Sequence, residues 1–313
     1  MVRIGIDIGG TGIKIGVLNN QLEILTHKTI PTAKDQPFPV QVQQIVNCVL
    51  EVVSSIGLTQ DDIQCVGVGI PGIASGKTGE VIKCTNMSWN HVPFAAEFRK
   101  RLDKPVLIEN DANVAALAEH VAGVSKNTSS SVFITLGTGI GSGIIINGKI
   151  WSGFHGIGGE LGHTILKLDG EPCTCGNHGC LERYCSATAM IRMAREEVAH
   201  RPESLILSMA DSDPMKINAK IVTDAAKAQD SAAMDVFQRY CSYLAQAIGN
   251  VVNFLDPEII VLGGGVSKAG SFLLDHVRDK YSQYVIYRDQ PMTSVELAVL
   301  GADAGIIGAA MLH

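Results

Sequence analysis

The chain has 313 residues, of which 46 % are hydrophobic and 18 % charged, a folded-protein composition with room for two ordinary domains. Twenty-five Lys and Arg against 31 Asp and Glu give a formal charge of −6 without a basic block, so the clustered cations that bind nucleic acid are missing. No membrane span is expected: the apolar stretch from Val132 to Ile146 is broken by Gly137, Gly139, Gly141 and Gly143 and falls short of the roughly 20 residues a spanning helix needs.

Val2 to Ile8 reads as a strand with no charged-then-apolar leader before it, which points to the cytoplasm. The strand ends at Gly9-Gly10-Thr11, and Ile13 to Leu18 resumes as a second strand, so Asp7 to Lys14 is expected to form a β-hairpin turn. From Val40 to Ile56, the apolar positions Val42, Ile45, Val46, Val49, Val52 and Val53 have helical spacing. A strand over Ile63 to Ile70 ends at Pro71-Gly72. A short helix is expected from Phe94 to Leu102, and a strand from Val106 to Glu109 leads into Asn110-Asp111-Ala112-Asn113. The alanine-rich run Val114 to Val121 reads as a helix.

A second strand pair then begins, Ser131 to Leu136 and Gly143 to Ile146, separated by Gly137-Thr138-Gly139-Ile140-Gly141. This repeats the opening pattern of strand, Gly/Thr turn and strand, and predicts two related α/β lobes. The expected boundary lies near Ala112, giving an N-terminal lobe over 1–112 and a larger one over 113–302. The helix at about 303–313 is a candidate to pack back on the first lobe. Loops and clustered cysteines fill Trp151 to Cys185, and helices dominate Ala187 to Leu255. The strand Ile259 to Leu262 then runs into Gly263-Gly264-Gly265.

Three glycine turns therefore each follow an apolar strand. Phosphate oxygens need backbone N–H donors at close range, which residues without a Cβ permit. These turns lack the Gly-Lys-Ser/Thr of a Walker loop and the spacing of a dinucleotide fingerprint. Asp7 suits either a Mg²⁺-bound water or the amides of its own turn, and Lys14 suits either phosphate oxygens or solvent. Glu109-Asn110-Asp111 ends a strand, where a carboxylate can take the proton of an attacking hydroxyl. The competing reading is an N-cap for the alanine-rich helix.

His163, Cys173, Cys175 and Cys180 supply one imidazole and three thiolates, the ligand set of a closed tetrahedral zinc site within a loop over 163–180. Such a site is structural. Glu160 and Glu182 flank it, held where they either grip sugar hydroxyls or stand in solvent. His178 is expected to point outward. Cys185 is assigned to the core, as are Cys48, Cys65, Cys84 and Cys241, small buried hydrophobes of a reducing compartment.

Taken together, Asp7-Ile-Gly-Gly-Thr, Gly69-Ile-Pro-Gly72, Glu109-Asn-Asp-Ala-Asn113, Leu136-Gly-Thr-Gly-Ile-Gly141, Gly159-Glu-Leu-Gly-His163, Cys173-Thr-Cys-Gly-Asn-His-Gly-Cys-Leu-Glu182 and Leu262-Gly-Gly-Gly-Val266 resemble the ROK family of the sugar kinase/actin-like superfamily. Within it the Asn86-Met-Ser-Trp89 segment, the zinc string and Asp256-Pro-Glu258 resemble the glucokinases most closely. The resemblance implies an α/β fold of two actin-like, ribonuclease H-like lobes with an active-site cleft between them. It implies MgATP held by Asp7, Gly9, Gly10, Thr11, Lys14, Gly137, Thr138, Gly139, Gly263, Gly264 and Gly265, together with structural Zn²⁺. It also implies a hexose held by Gly72, Asn86, Asn110, Asp111, Glu160, His163 and Glu182, with Asp111 as general base. Glucose is the expected hexose; allose, fructose, mannose and N-acetylhexosamines are the alternatives. Family analogy adds a homodimer. The family's repressors carry about 80 residues before the first glycine turn for reading DNA, and here that turn begins at residue 9. A non-catalytic sugar-binding regulator is the reading from another class.

Overall fold

The structure, a computed structural model, describes residues 1–312. In chain order the strands and helices are β1 (Val2–Ile8), β2 (Gly12–Leu18), β3 (Ile24–Pro31), α1 (Phe38–Ser54), β4 (Ile63–Ile70), β5 (Ile73–Ser75), β6 (Glu80–Cys84), β7 (Trp89–Val92), α2 (Phe94–Arg99), β8 (Val106–Asn110) and α3 (Asp111–Ala122). They continue with β9 (Ser130–Leu136), β10 (Ile140–Ile146), β11 (Lys149–Ile150), α4 (Glu182–Cys185), α5 (Ala187–His200), α6 (Leu205–Met209), α7 (Ala219–Lys227), α8 (Ser231–Leu255), β12 (Ile259–Gly263), α9 (Ser271–Tyr281), β13 (Ser294–Leu297) and α10 (Ala304–Ala310). The chain divides into two compact units. The first comprises Met1–Ser129, Gly143–Gly159 and the residues from Val299 onward; the second comprises Ser130–Ser142 and Glu160–Ala298.

In the first unit the strand order is β3-β2-β1-β4-β8, with β1 and β2 antiparallel and β4 and β8 parallel to β1. Val2, Ile4, Ile6 and Ile8 of β1 are all buried, as are Val66, Val68 and Ile70 of β4, alternate residues that share one face of each strand. Helix α1 supplies one cover: Val42, Ile45, Val46, Val49, Val52 and Val53 all lie in the core with β1, β2 and β4. Helix α10 packs on β1 and β4 and reaches them at backbone distance. A Cβ on Gly5 would lie 1.9 Å from the Ile306 carbonyl oxygen, and one on Gly67 would lie 1.7 Å from that of Ala309. A small sheet, β5-β6-β7, carries Trp89, whose indole N–H donates to Gln41 of α1.

The second sheet has the order β11-β10-β9-β12-β13, with β12 parallel to both β9 and β13. It repeats the strand order of the first, so the echo in the sequence is an echo in topology. Helix α8 is the long element of the second unit. Tyr240 on it is fully buried and donates its hydroxyl to the Cys185 carbonyl at 2.6 Å.

The first unit runs to Ser129, past the boundary expected near residue 112. Helix α3 stays with it because Ala118 shares an apolar cluster with Leu18 and with Ala304, Ile307 and Ala310 of α10. The wholly buried Glu119 reinforces this. One carboxylate oxygen accepts from the N–H groups of Val299 and Leu300, each at 3.0 Å, and the other accepts from the N–H of Val124 at 3.0 Å.

Candidate active site

The residues singled out in the sequence fall into two sets, one in each unit. The first set gathers at the C-terminal ends of β1, β4 and β8, the edge where α/β sheets present binding groups. The hairpin turn after β1 is closed by the Gly9 N–H donating to the Gly12 carbonyl at 2.9 Å. Thr32 braces it, donating its hydroxyl to the Gly9 carbonyl at 2.9 Å and its N–H to the Thr11 carbonyl at 3.2 Å. The Asn86 amide sits over Gly10, where a Cβ would lie 3.5 Å from Nδ2.

Asp7 faces Lys14 across the β1–β2 pair. Burial raises its carboxyl above its ordinary value, and the charge of Lys14 works the other way. The Lys14 ammonium is engaged with Asp303 Oδ1 at 2.5 Å and with the Ala302 carbonyl at 3.1 Å. Sequence reasoning missed this attachment, since nothing local links positions 14 and 303.

Asn110 caps α3, accepting from the N–H groups of Ala112 at 2.9 Å and Asn113 at 3.2 Å, so the capping alternative describes its side-chain oxygen. Its amide nitrogen donates to the Gly72 carbonyl at 3.0 Å. Gly72 has φ of +120°, and a Cβ there would lie 2.3 Å from the Lys83 carbonyl oxygen, so no other residue fits without shifting the backbone. Asp111 is the first residue of α3, at the positive end of the helix dipole, and its Oδ1 accepts from the Ala112 N–H at 2.9 Å.

The second set surrounds Ile140 at the start of β10. The turn Gly137–Gly139 precedes it, closed by the Gly137 N–H donating to the Gly139 carbonyl at 3.0 Å. The start of α5 docks on this turn. Ala187 donates its N–H to the Gly137 carbonyl at 2.8 Å, and the Thr188 hydroxyl donates to the Thr138 carbonyl at 2.8 Å. Glu182 Oε2 accepts from the Ile140 N–H at 3.0 Å, which places this carboxylate against the glycine turn as well as beside the cysteine loop. The 3-10 turn Leu161–His163 rests on the same residue: a Cβ on Gly162 would lie 2.3 Å from the Ile140 carbonyl oxygen. Glu160 is exposed just before that turn. The third glycine turn lies against the end of β9, since a Cβ on Gly264, with φ of +87°, would lie 2.7 Å from the Leu136 backbone. Gly265, Val266, Lys268 and Ala269 then form one wall of a cavity of about 160 Å³, with α7 as the other.

His163, Cys173, Cys175 and Cys180 come together, their ligand atoms all within 4.8 Å of one another. Cys175 Sγ and Cys180 Sγ are 3.6 Å apart, and Cys173 Sγ and His163 Nδ1 are 3.7 Å apart. Bonds of about 2.0–2.3 Å to a tetrahedral zinc ion put ligand atoms about 3.5–3.8 Å apart, so these separations fit the ion. A backbone N–H from Asn177 lowers the Cys175 thiol from its ordinary value. His178 is exposed and Cys185 fully buried, its thiol pushed well up by burial.

The family model that matches, "ROK family", spans residues 3–313. The chain belongs to the ROK family. Among ROK relatives it is 37 % identical over 310 residues to a glucokinase of Halalkalibacterium halodurans, covering 99 % of this chain and 94 % of that one. A glucokinase of Thermotoga maritima is 36 % identical over 310 residues, with 99 % and 96 % covered. The solved structure of a ROK family glucokinase from Streptomyces griseus, in complex with glucose and AMPPNP, matches with a TM-score of 0.84 at 34 % identity, with 99 % and 98 % covered. The ROK fold is thus the fold of this chain over nearly its whole length. Among the described residues, no helix is long and apolar enough to cross a membrane.

Proposed function

We propose that this chain is an ATP-dependent kinase that transfers the γ-phosphoryl group to the 6-hydroxyl of D-glucose. The observation that carries the reading is the placement of Asp111, a carboxylate at the start of α3 on the same sheet edge as the Gly9–Thr11 turn. The glucokinase names of relatives matched from end to end support it.

In this reading Asp111 accepts the proton of the sugar hydroxyl as that oxygen attacks the γ-phosphorus. The new O–P bond forms while the bond to the β-phosphate bridging oxygen breaks, and ADP leaves with the electron pair. Backbone N–H groups of the glycine turns and the Lys14 ammonium stabilise charge on the phosphate oxygens. Mg²⁺ arriving with ATP neutralises phosphate charge, and Asp7 is the residue to hold it. The cavity between α7 and the Gly265–Ala269 segment suits the nucleoside.

Gly72, Asn86, Asn110, Glu160, His163 and Glu182 hold the sugar. Asn110 contributes an amide N–H, since its oxygen serves the helix cap. His163 turns Nδ1 to the thiolates, which leaves Nε2 for a hydroxyl. Bound through His163, Cys173, Cys175 and Cys180, Zn²⁺ fixes the loop that fixes Glu160 and Glu182.

A coupled ADP-release assay over glucose, allose, mannose, fructose and N-acetylated hexosamines tests the proposal, with Asp111→Asn alongside. Glucose should give the highest kcat/KM. The variant should lose about 10²–10⁴-fold in kcat while glucose binding is retained. Near-parental kcat in the variant would overturn the base assignment, and equally feeble rates on every sugar would overturn the substrate class.

A further inference from the structure

We propose that Asp303 is a positioning residue, one that aims the Lys14 ammonium at the phosphate chain of the nucleotide. The proposal deepens the kinase reading and rests on it for the role of the first glycine turn.

Lys14 stands on β2 directly across from Asp7. A lysine stem is flexible and its charge is a compact point, so a lysine that serves a phosphate must have its head fixed from elsewhere. Here the fixing groups come from 288 and 289 residues further along the chain: the Ala302 carbonyl at 3.1 Å and Asp303 Oδ1 at 2.5 Å. An ammonium has three donors. Two are committed to these acceptors, and among the described residues no partner takes the third.

Exposure argues for aim over stability. The Lys14 side chain keeps 18 % of its surface open and that of Asp303 keeps 49 %, and a pair with one half-exposed member adds little to folding. The same segment also shapes the other side of the turn. Gly305 lies so close to Asp7 that a Cβ there would meet the carboxyl carbon at 2.4 Å. The entry to α10 is thus fitted to both charged residues of the β1–β2 turn, with Gly305 leaving room for Asp7 and Asp303 holding Lys14.

The test compares Asp303→Asn, Asp303→Glu, Lys14→Met and the Lys14→Met/Asp303→Asn double variant by steady-state kinetics, by calorimetric titration with MgAMPPNP and by thermal melting. Asp303→Asn should raise the KM for ATP and the AMPPNP dissociation constant by about ten-fold or more, as a misplaced group does. Its KM for glucose and its melting temperature should stay at parental values, and Asp303→Glu should recover most of the loss. The double variant should be no worse than Lys14→Met, because both changes remove one interaction. Parental nucleotide binding in Lys14→Met would overturn the reading of the turn itself. If Lys14→Met is impaired, the Asp303 proposal alone is overturned by parental or tighter binding in Asp303→Asn, or by additive losses in the double variant.

Discussion

Replacing Glu119 with Gln leaves the side chain's shape and halves its capacity as an acceptor. The parent carboxylate is wholly buried and serves three backbone N–H groups, those of Val299 and Leu300 on one oxygen and that of Val124 on the other. An amide has one oxygen, so either Val124 or the Val299–Leu300 pair is left facing an NH₂ group. Glu119 Oε2 fills the space that a side chain at position 123 would take, since a Cβ on Gly123 would lie only 1.9 Å from it. One or two stranded buried donors at about 1–3 kcal/mol each give a loss of about 1–6 kcal/mol. Local opening at these amides should then speed up by about 5-fold at the least and about 25,000-fold at the most, at 1.36 kcal/mol for each factor of ten. Native-state hydrogen exchange of Val124, Val299 and Leu300 reads this directly. Exchange within two-fold of the parent at all three amides would refute the reasoning.

Asp7→Asn should raise stability at neutral pH. Burial holds the folded-state carboxyl above its ordinary value of 3.8, so the folded chain binds the proton more tightly than the unfolded one. Stability is then lost as pH rises through that window, and at pH 7 the ionised Asp7 weakens the fold. The variant's urea midpoint should exceed the parent's at pH 7, with the gap closing toward pH 4; a lower midpoint at pH 7 would refute the account. Cys175→Ala should bring zinc content, measured by elemental analysis, well below one per chain. Even outer-shell changes cost about 10–100-fold in metal affinity, and this change removes a ligand. The KM for glucose should rise with it. Full zinc occupancy in the variant would show that the ligand set is wrong.

The first unit's parallel strands and α1 were legible because their burial follows simple patterns. β4 spans Ile63–Ile70 as read, and the six helical positions from Val42 to Val53 are all core. The hairpin around Gly9–Thr11 and the cysteine–histidine cluster were legible because glycine placement and ligand chemistry are local signals. β3 was not, since its residues are mostly exposed and carry no apolar alternation. The β5–β7 sheet was missed because its strands run only three to five residues. Asn110 could be read as a cap or as a ligand, and its side-chain oxygen is the cap. Nothing in the sequence singled out Glu119 within its alanine-rich helix. Its partners lie 180 and 181 positions away, and no periodicity reports a contact of that kind. The boundary near residue 112 was misplaced for the same reason: α3 packs with α10, whose return to the first unit was expected, and only tertiary packing pairs the two.

The bare glycine groove along β1 and β4 has a consequence for biosynthesis. The helix that fills it emerges from the ribosome almost 300 residues after β1. At about 5–20 residues per second, that sheet face waits about 15–60 s for its cover. Throughout that interval the glycine-lined face of β1 and β4 lacks the helix that covers it in the folded chain.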